Sequence, residues 1–287
     1  MPPALAFLLL GATFIALSPI FVRVSEAGPL PTAFWRAALA VPVLWLVLFL
    51  RREASAGSRS AWPLLLAAGA AFAGDLAFWH KSIQFTSVAN STLLANLASI
   101  FVTLAAWIFL RQRPSGLFLA GLGAALAGVA MLVKTSLEFS PTGLLGDALG
   151  VVTAMFYAAY ILSVKGLRDR GATTLYLMAV TSTITALLLL PVALASGEPM
   201  LPRSATGWGV LLGLALVSHA AGQGLIAYAL AHLPAAFSSV GLLLQPVMAA
   251  LFAWLLLAEA LAPLQVAGAC VVLAGIYLAR RGSRAGE

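Results

Sequence analysis

Ten runs of about twenty mostly apolar residues, joined by short polar links, occupy almost the whole of this 287-residue chain. Nothing else in the sequence restricts the fold as strongly. A run of that length crosses the hydrocarbon core of a bilayer as a helix, because lipid offers the backbone no hydrogen-bond partner. The runs fall at roughly 3–24, 30–50, 62–82, 86–110, 114–134, 142–164, 173–195, 206–231, 235–258 and 261–280. Helix breakers mark the joins: Gly28, Pro29, Pro31, Pro63, Pro114, Pro141, Pro234 and Pro263. The runs are continuous and rich in Leu and Ala, whereas barrel strands alternate polar and apolar residues. The expected fold is an all-α membrane protein of ten transmembrane helices.

Charge composition agrees. Only 9% of the residues are charged, against about 25% in soluble domains. The net charge of +7 would suggest a nucleic-acid partner in a soluble protein. Here the basic residues sit in short links and set orientation instead, so the partners expected are a small-molecule substrate and the lipid bilayer. No nucleic acid and no obligate protein partner is expected. One side collects Arg51, Arg52, Arg59, Arg111, Arg113, Lys165, Arg168, Arg170, Arg280, Arg281 and Arg284; the other holds Arg23, Lys81, Lys134 and Arg203. The positive-inside rule then puts both termini in the cytoplasm, and the localisation expected is the bacterial inner membrane. Residues 1–6 carry no basic segment and read as the lead into the first span, not a signal peptide. Cys270 is the single cysteine, which excludes an intrachain disulfide; it reads as a small core residue.

The chain also repeats. At an offset of 147 residues Trp107 falls on Trp254, Ser91 on Ser238, Gly121 on Gly268 and Gly128 on Gly275. Two repeats follow, over 1–137 and 138–287. Each has five helices, an odd number, so the second enters the membrane from the opposite side. Inverted halves can exchange conformations, giving inward-open and outward-open states of similar energy.

Several short motifs resemble those of the drug/metabolite transporter superfamily, in particular its ten-span EamA-type members. They are Phe34-Trp35-Arg36 in the second span, Phe85-Thr86-Ser87-Val88-Ala89 before the fourth, and Gln245-Pro246 in the ninth. Ala258-Glu259 follows, with Gly268 and Gly275 in the last span. The first half departs from the pattern, with Gln112 standing where Glu259 stands in the second. The resemblance implies export of small metabolites, with amino acids, including aromatic ones, as the nearest type.

Polar side chains at membrane depth cost a few kcal/mol and usually face protein or water. They therefore nominate the site. Asp75 lies in the third span with Trp79 one turn on, and reads either as a substrate or proton site or as a structural partner of His80 or Lys81. His219 and Gln223 lie one turn apart in the eighth span, with Tyr228 beyond. Thr92, Asn96, Ser99 and Thr103 form a stripe in the fourth span. Ser238 and Gln245 share a face of the ninth, where Pro246 frees a carbonyl. Tyr157 and Tyr160 sit well inside the sixth; with Trp79, Trp35 and Phe156 they suggest an aromatic-tolerant pocket. Asp75, Trp79, Asn96, Ser99, Tyr157, Tyr160, His219, Gln223, Tyr228 and Gln245 are the expected substrate contacts. His80, Lys81, Pro246 and Glu259 are candidates for gating or proton coupling. Arg36 reads as a residue snorkelling to the external headgroups. Trp62, Trp107, Trp208 and Trp254 read as interfacial belt residues.

No Walker A sequence, metal-ligand spacing or nucleophile elbow is present, so no cofactor, metal or enzymatic role is expected. The function expected is alternating-access export of small amphipathic metabolites, most of all amino acids. The alternatives are another cargo class, such as nucleobases, drug-like or sugar-type solutes, or a membrane-embedded lipid-processing enzyme.

Overall fold

A computed structural model describes residues 3–52, 61–133, 143–258 and 260–284. Ten helices are long and apolar enough to span a membrane. They are α1 (Pro3–Arg23), α2 (Pro29–Arg51), α3 (Trp62–Ser82), α4 (Asn90–Phe109), α5 (Gly116–Val133), α6 (Gly143–Asp169), α7 (Thr174–Ala195), α8 (Ala205–Ala229), α9 (Ala235–Leu256) and α10 (Pro263–Ser283). There are no strands among the described residues. Helix α6 runs past the expected end near residue 164, and its added turn is closed by a Lys165–Asp169 ion pair of 2.5 Å.

The two halves pack as related images. Helix α3 lies along α6, as α1 lies along α8; α7 packs on α3, as α2 packs on α8; and α5 pairs with α10. The 147-residue register is visible in backbone detail. The extended residue that opens α4 is Ser87 and its counterpart opening α9 is Pro234. Both helices end on a left-handed residue, Arg111 and Ala258. The α5–α10 crossing is made backbone to backbone. A Cβ on Gly121 would lie 2.7 Å from the Gly275 carbonyl oxygen, and one on Gly128 would lie 2.7 Å from that of Gly268. Only glycine permits that approach.

Five spans are not regular helices, and the breaks of α1 and α4 carry residues that line the central cavity. Helix α1 breaks near Ala16–Leu17, α2 at Leu39 and α9 at Leu242–Leu243. Each break precedes a proline by two to four residues (Pro19, Pro42, Pro246), which removes the donor for a carbonyl one turn back. Helix α4 breaks at Asn96–Leu97, the position equivalent to the α9 break, without a proline. Its cause is side-chain competition. Asn96 Nδ2 donates to the Thr92 carbonyl at 2.7 Å, and Ser99 Oγ donates to the Asn96 carbonyl at 2.9 Å. Helix α8 widens into a π-helical stretch over Leu214–Gln223, a feature often found where a helix carries function.

The halves match in path but not in packing at the two ends of the bundle. On the face carrying Arg51, Arg111, Arg168 and Arg280, the second half of α4 packs against the first half of α9. On the opposite face the equivalent meeting, first half of α4 with second half of α9, makes no comparable contact among the described residues. The bundle is closed at the arginine-rich face and parted at the other.

Two carboxylates bind the loops of the parted face together. Glu198, between α7 and α8, accepts from the Leu30 amide at 2.8 Å and from Gln84 Nε2 at 2.5 Å. Glu26, between α1 and α2, accepts from the amides of Arg203 (2.7 Å) and Ser204 (2.9 Å) and from Ser204 Oγ (2.5 Å). Glu198 thus caps α2 from the other half, and Glu26 fixes the two residues leading into α8, whose N-cap is Ser204. The Ser204 hydroxyl and the two backbone amides hold the Glu26 carboxyl below its ordinary pKa.

Candidate cavity between the repeats

The parted side leads to a cavity lined by residues of both halves. Helix α1 contributes Ile15, Ala16, Ser18 and Pro19 from around its break; α2 contributes Arg36; α3 contributes Asp75, Leu76 and Trp79. Thr92, Ala95 and Asn96 come from α4, Tyr157 from α6, Gln223 from α8, and Gln245 and Ala249 from α9. Helical spacing explains the grouping, since residues three and four apart share a face. The helix interruptions explain why polar backbone and side chains point inward there.

Four buried polar atoms on this wall find no hydrogen-bond partner: Ser18 Oγ, Arg36 Nε, Tyr157 Oη and Gln223 Oε1. Arg36 is only 4% exposed and Gln223 2%. Unsatisfied buried polar groups cost about 1–3 kcal/mol each, and native proteins rarely tolerate several in one place. Their convergence on one cavity is what a polar ligand would satisfy. Apolar surface from Ile15, Leu76, Trp79, Ala95 and Ala249 completes the wall.

Of the expected substrate contacts, Asp75, Trp79, Asn96, Tyr157, Gln223 and Gln245 line this cavity. The remaining four lie elsewhere. His219 is packed behind it: Nε2 bonds Ser182 Oγ at 2.8 Å, the ring stacks on Phe72 at 5.2 Å, and Nδ1 has no partner. The π-helical turn alters the one-turn stacking that a regular helix would give His219 and Gln223. Tyr160 packs on Phe72 at 4.7 Å and points its hydroxyl at Met178 Sδ. Ser99 is turned back onto its own helix. Tyr228 is 37% exposed and packs edge-on to Phe7 near the arginine-rich face.

Among the gating candidates, His80 is fully buried and bonds the Leu76 carbonyl at 2.7 Å. Lys81 sits 5.6 Å from the Phe85 ring. Neither residue pairs with Asp75. Pro246 is buried beside the α9 break. Glu259 lies outside the described residues, as does Lys134.

Four sequence expectations are corrected. Arg36 does not snorkel to the membrane surface; its guanidinium lies 5.9 Å from the Phe72 ring and faces the cavity. An arginine six or seven residues into a span is long enough to reach headgroups, and only the helix rotation reveals that it turns inward. Trp35 and Phe156 do not join the cavity: Trp35 Nε1 bonds the Met200 carbonyl at 2.8 Å, while Phe156 stacks on Phe78 at 5.4 Å. Cys270 is exposed on α10, not in the core. Ser18 and Pro19 gave no sequence signal beyond a Ser-Pro pair within an apolar run. Trp62, Trp107 and Trp254 are each about half exposed at 46%, 48% and 48%, which suits an interfacial belt. Trp208 instead packs edge-on to Trp35 at 5.2 Å.

The chain matches the model of the EamA-like transporter family twice, over residues 2–134 and 144–281. It is 30% identical over 285 residues to an uncharacterized transporter of Archaeoglobus fulgidus, covering 94% of this chain and 96% of that one. It is 28% identical to a pseudopaline exporter of Pseudomonas aeruginosa over 93% of this chain and 92% of the relative. A probable terminal-alkyne amino-acid exporter of Streptantibioticus cattleyicolor is 30% identical over 67% of this chain and 64% of its own length. One solved crystal structure superposes with a TM-score of 0.81 at 16% identity, covering 98% of this chain and 96% of the other, which supports the fold alone. The double match, the ten spans and the two related halves together place this chain in the EamA-like transporter family.

Proposed function

We propose that this protein is a secondary exporter of small amphipathic metabolites, with amino acids foremost, and that it acts by alternating access and not as an enzyme. One observation carries the reading. A cavity between two inverted halves holds several unpartnered buried polar groups beside apolar walls, and it is sealed toward one face only. Such a site suits a solute with a polar head and an apolar body. Interchanging the conformations of the halves would close the parted face and open the sealed one.

The relatives support the cargo class, since one is named for pseudopaline and another for a terminal-alkyne amino acid. The arginine-rich face is the cytoplasmic one, with both termini there, in a bacterial inner membrane. On this assignment the structure is the outward-open state. The binding wall consists of Asp75, Trp79, Asn96, Tyr157, Gln223 and Gln245, to which Arg36 and Ser18 are added.

The test is transport by the purified protein in liposomes, with and without a pH gradient, across a panel of amino acids, nucleobases and sugars. Saturable flux of amino acids is the expected result. Flux of nucleobases or sugars alone would replace the cargo, and absence of any flux would end the exporter reading.

A further inference from the structure

An acidic and a basic side chain share the one cavity without a direct ion pair between them. Arg36 and Asp75 both line it and lie within electrostatic range, yet they form no ion pair. Arg36 has the Phe72 ring as a neighbour, and its Nε atom contacts no acceptor. A charged side chain at membrane depth costs a few kcal/mol unless something compensates it. Here the protein supplies only part of it, through the mutual influence of the two residues and the Phe72 ring, and Arg36 Nε is left without an acceptor.

We propose that Arg36 and Asp75 are the two ends of a clasp for zwitterions. The Arg36 guanidinium takes the carboxylate of an α-amino acid, Asp75 takes its ammonium, and the side chain lies along Trp79, Leu76 and Ile15. This rests on the exporter reading and specifies its site. A planar guanidinium is the side chain best matched to a carboxylate, which it can hold through two parallel hydrogen bonds. Each charge also discriminates. A simple amine would be drawn to Asp75 and repelled by Arg36, and a simple carboxylic acid would meet the reverse. Only a solute bearing both signs balances the site. A neutral sugar or nucleobase would leave both charges uncompensated.

The repeat makes an independent point. In the 147-residue register the counterparts of Arg36 and Asp75 are Thr183 and Gly222. The second half reaches the same helix positions with no charge there. Its contributions to the cavity, Tyr157, Gln223 and Gln245, are neutral. The inverted scaffold therefore does not require the charge pair, which is added to one half only.

The experiment is competition in liposomes. The best-transported amino acid of a twenty-member panel is used as labelled cargo, with its amide and its N-acetyl derivative as competitors. The amide keeps the ammonium and loses the carboxylate; the N-acetyl compound does the opposite. With the wild-type protein each derivative should compete at least about tenfold more weakly than the parent, the size of one lost charge-assisted contact. In R36Q the amide should compete as well as the parent does, and in D75N the N-acetyl compound should. R36K, which keeps the charge without the planar fork, should fall between. The wild-type comparison stands even where a variant folds poorly. If amino acids are carried but all three compounds compete within about twofold, the clasp is overturned and the exporter reading survives. The same holds if R36Q and D75N keep the wild-type ranking. If no solute in the panel moves, the exporter reading itself has failed.

Discussion

At the scale of single residues, burial distinguishes groups that one-turn spacing had put together. Gln223 opens into the cavity with a free acceptor, while His219 spends one ring nitrogen on Ser182 and stacks on Phe72. The two should therefore fail differently. H219A leaves the Ser182 hydroxyl unpaired, which should cost about 1–3 kcal/mol of stability; the check is a lower melting temperature in detergent with KM held within about twofold. Q223A should keep the melting temperature and raise KM about fivefold to tenfold, the value of one hydrogen bond. Glu26 gives a pH prediction. Its carboxyl is held below the ordinary range by Ser204 and two amides. A depressed folded pKa stabilises above the ordinary value of 4.5 and is lost as pH falls through the folded one. Protection of the Arg203 and Ser204 amides, taken relative to their intrinsic exchange rates, should fall as the medium is acidified below that value, and E26Q should remove the dependence.

At the scale of elements, the helix interruptions set what the cavity contains, and they were only partly legible beforehand. Apolar run length located all ten spans, because lipid demands continuous apolar helix and tolerates little else. Pro246 announced a freed carbonyl in α9. The matching break in α4 was hidden, since it arises from Asn96 and Ser99 bonding their own helix, and such residues more often leave a helix intact. The π-helical stretch of α8 and the inward turn of Arg36 were likewise out of reach. Both depend on helix rotation, which neighbouring helices fix and hydropathy does not record. Packing at the α5–α10 crossing yields a further prediction. A Cβ at Gly121 would lie 2.3 Å from the Ala279 amide nitrogen, whereas one at Gly123 meets nothing within 4 Å. G121L should therefore destabilise by about 1–3 kcal/mol or more through overpacking, while G123A should leave the melting temperature unchanged or slightly raised. Equal effects of the two substitutions would contradict the tight crossing.

At the scale of the whole molecule, two halves of like path hold unlike contacts, and that difference defines a direction. The first half of α4 and the second half of α9 are parted where their counterparts meet. Cysteines placed at Ala95 and Ala249 in a C270S background should react with a membrane-impermeant maleimide from the Glu26 and Glu198 face. Labelling from the arginine-rich face instead would contradict the assignment of that face as the closed one. A bound cargo should slow the reaction at both positions, since both line the cavity.

The glycine crossing has one more consequence. In the register that relates the halves, the Gly121–Gly275 contact becomes the Gly268–Gly128 contact, so exchanging the two halves returns the same set of meetings. On the alternating-access reading proposed above, glycine contacts that map onto each other would weigh similarly on the two states. The α5–α10 seam can therefore be strengthened or weakened at both images together without favouring either side. It is the place to stiffen the protein, with matched substitutions at both images, while leaving the proposed exchange unbiased.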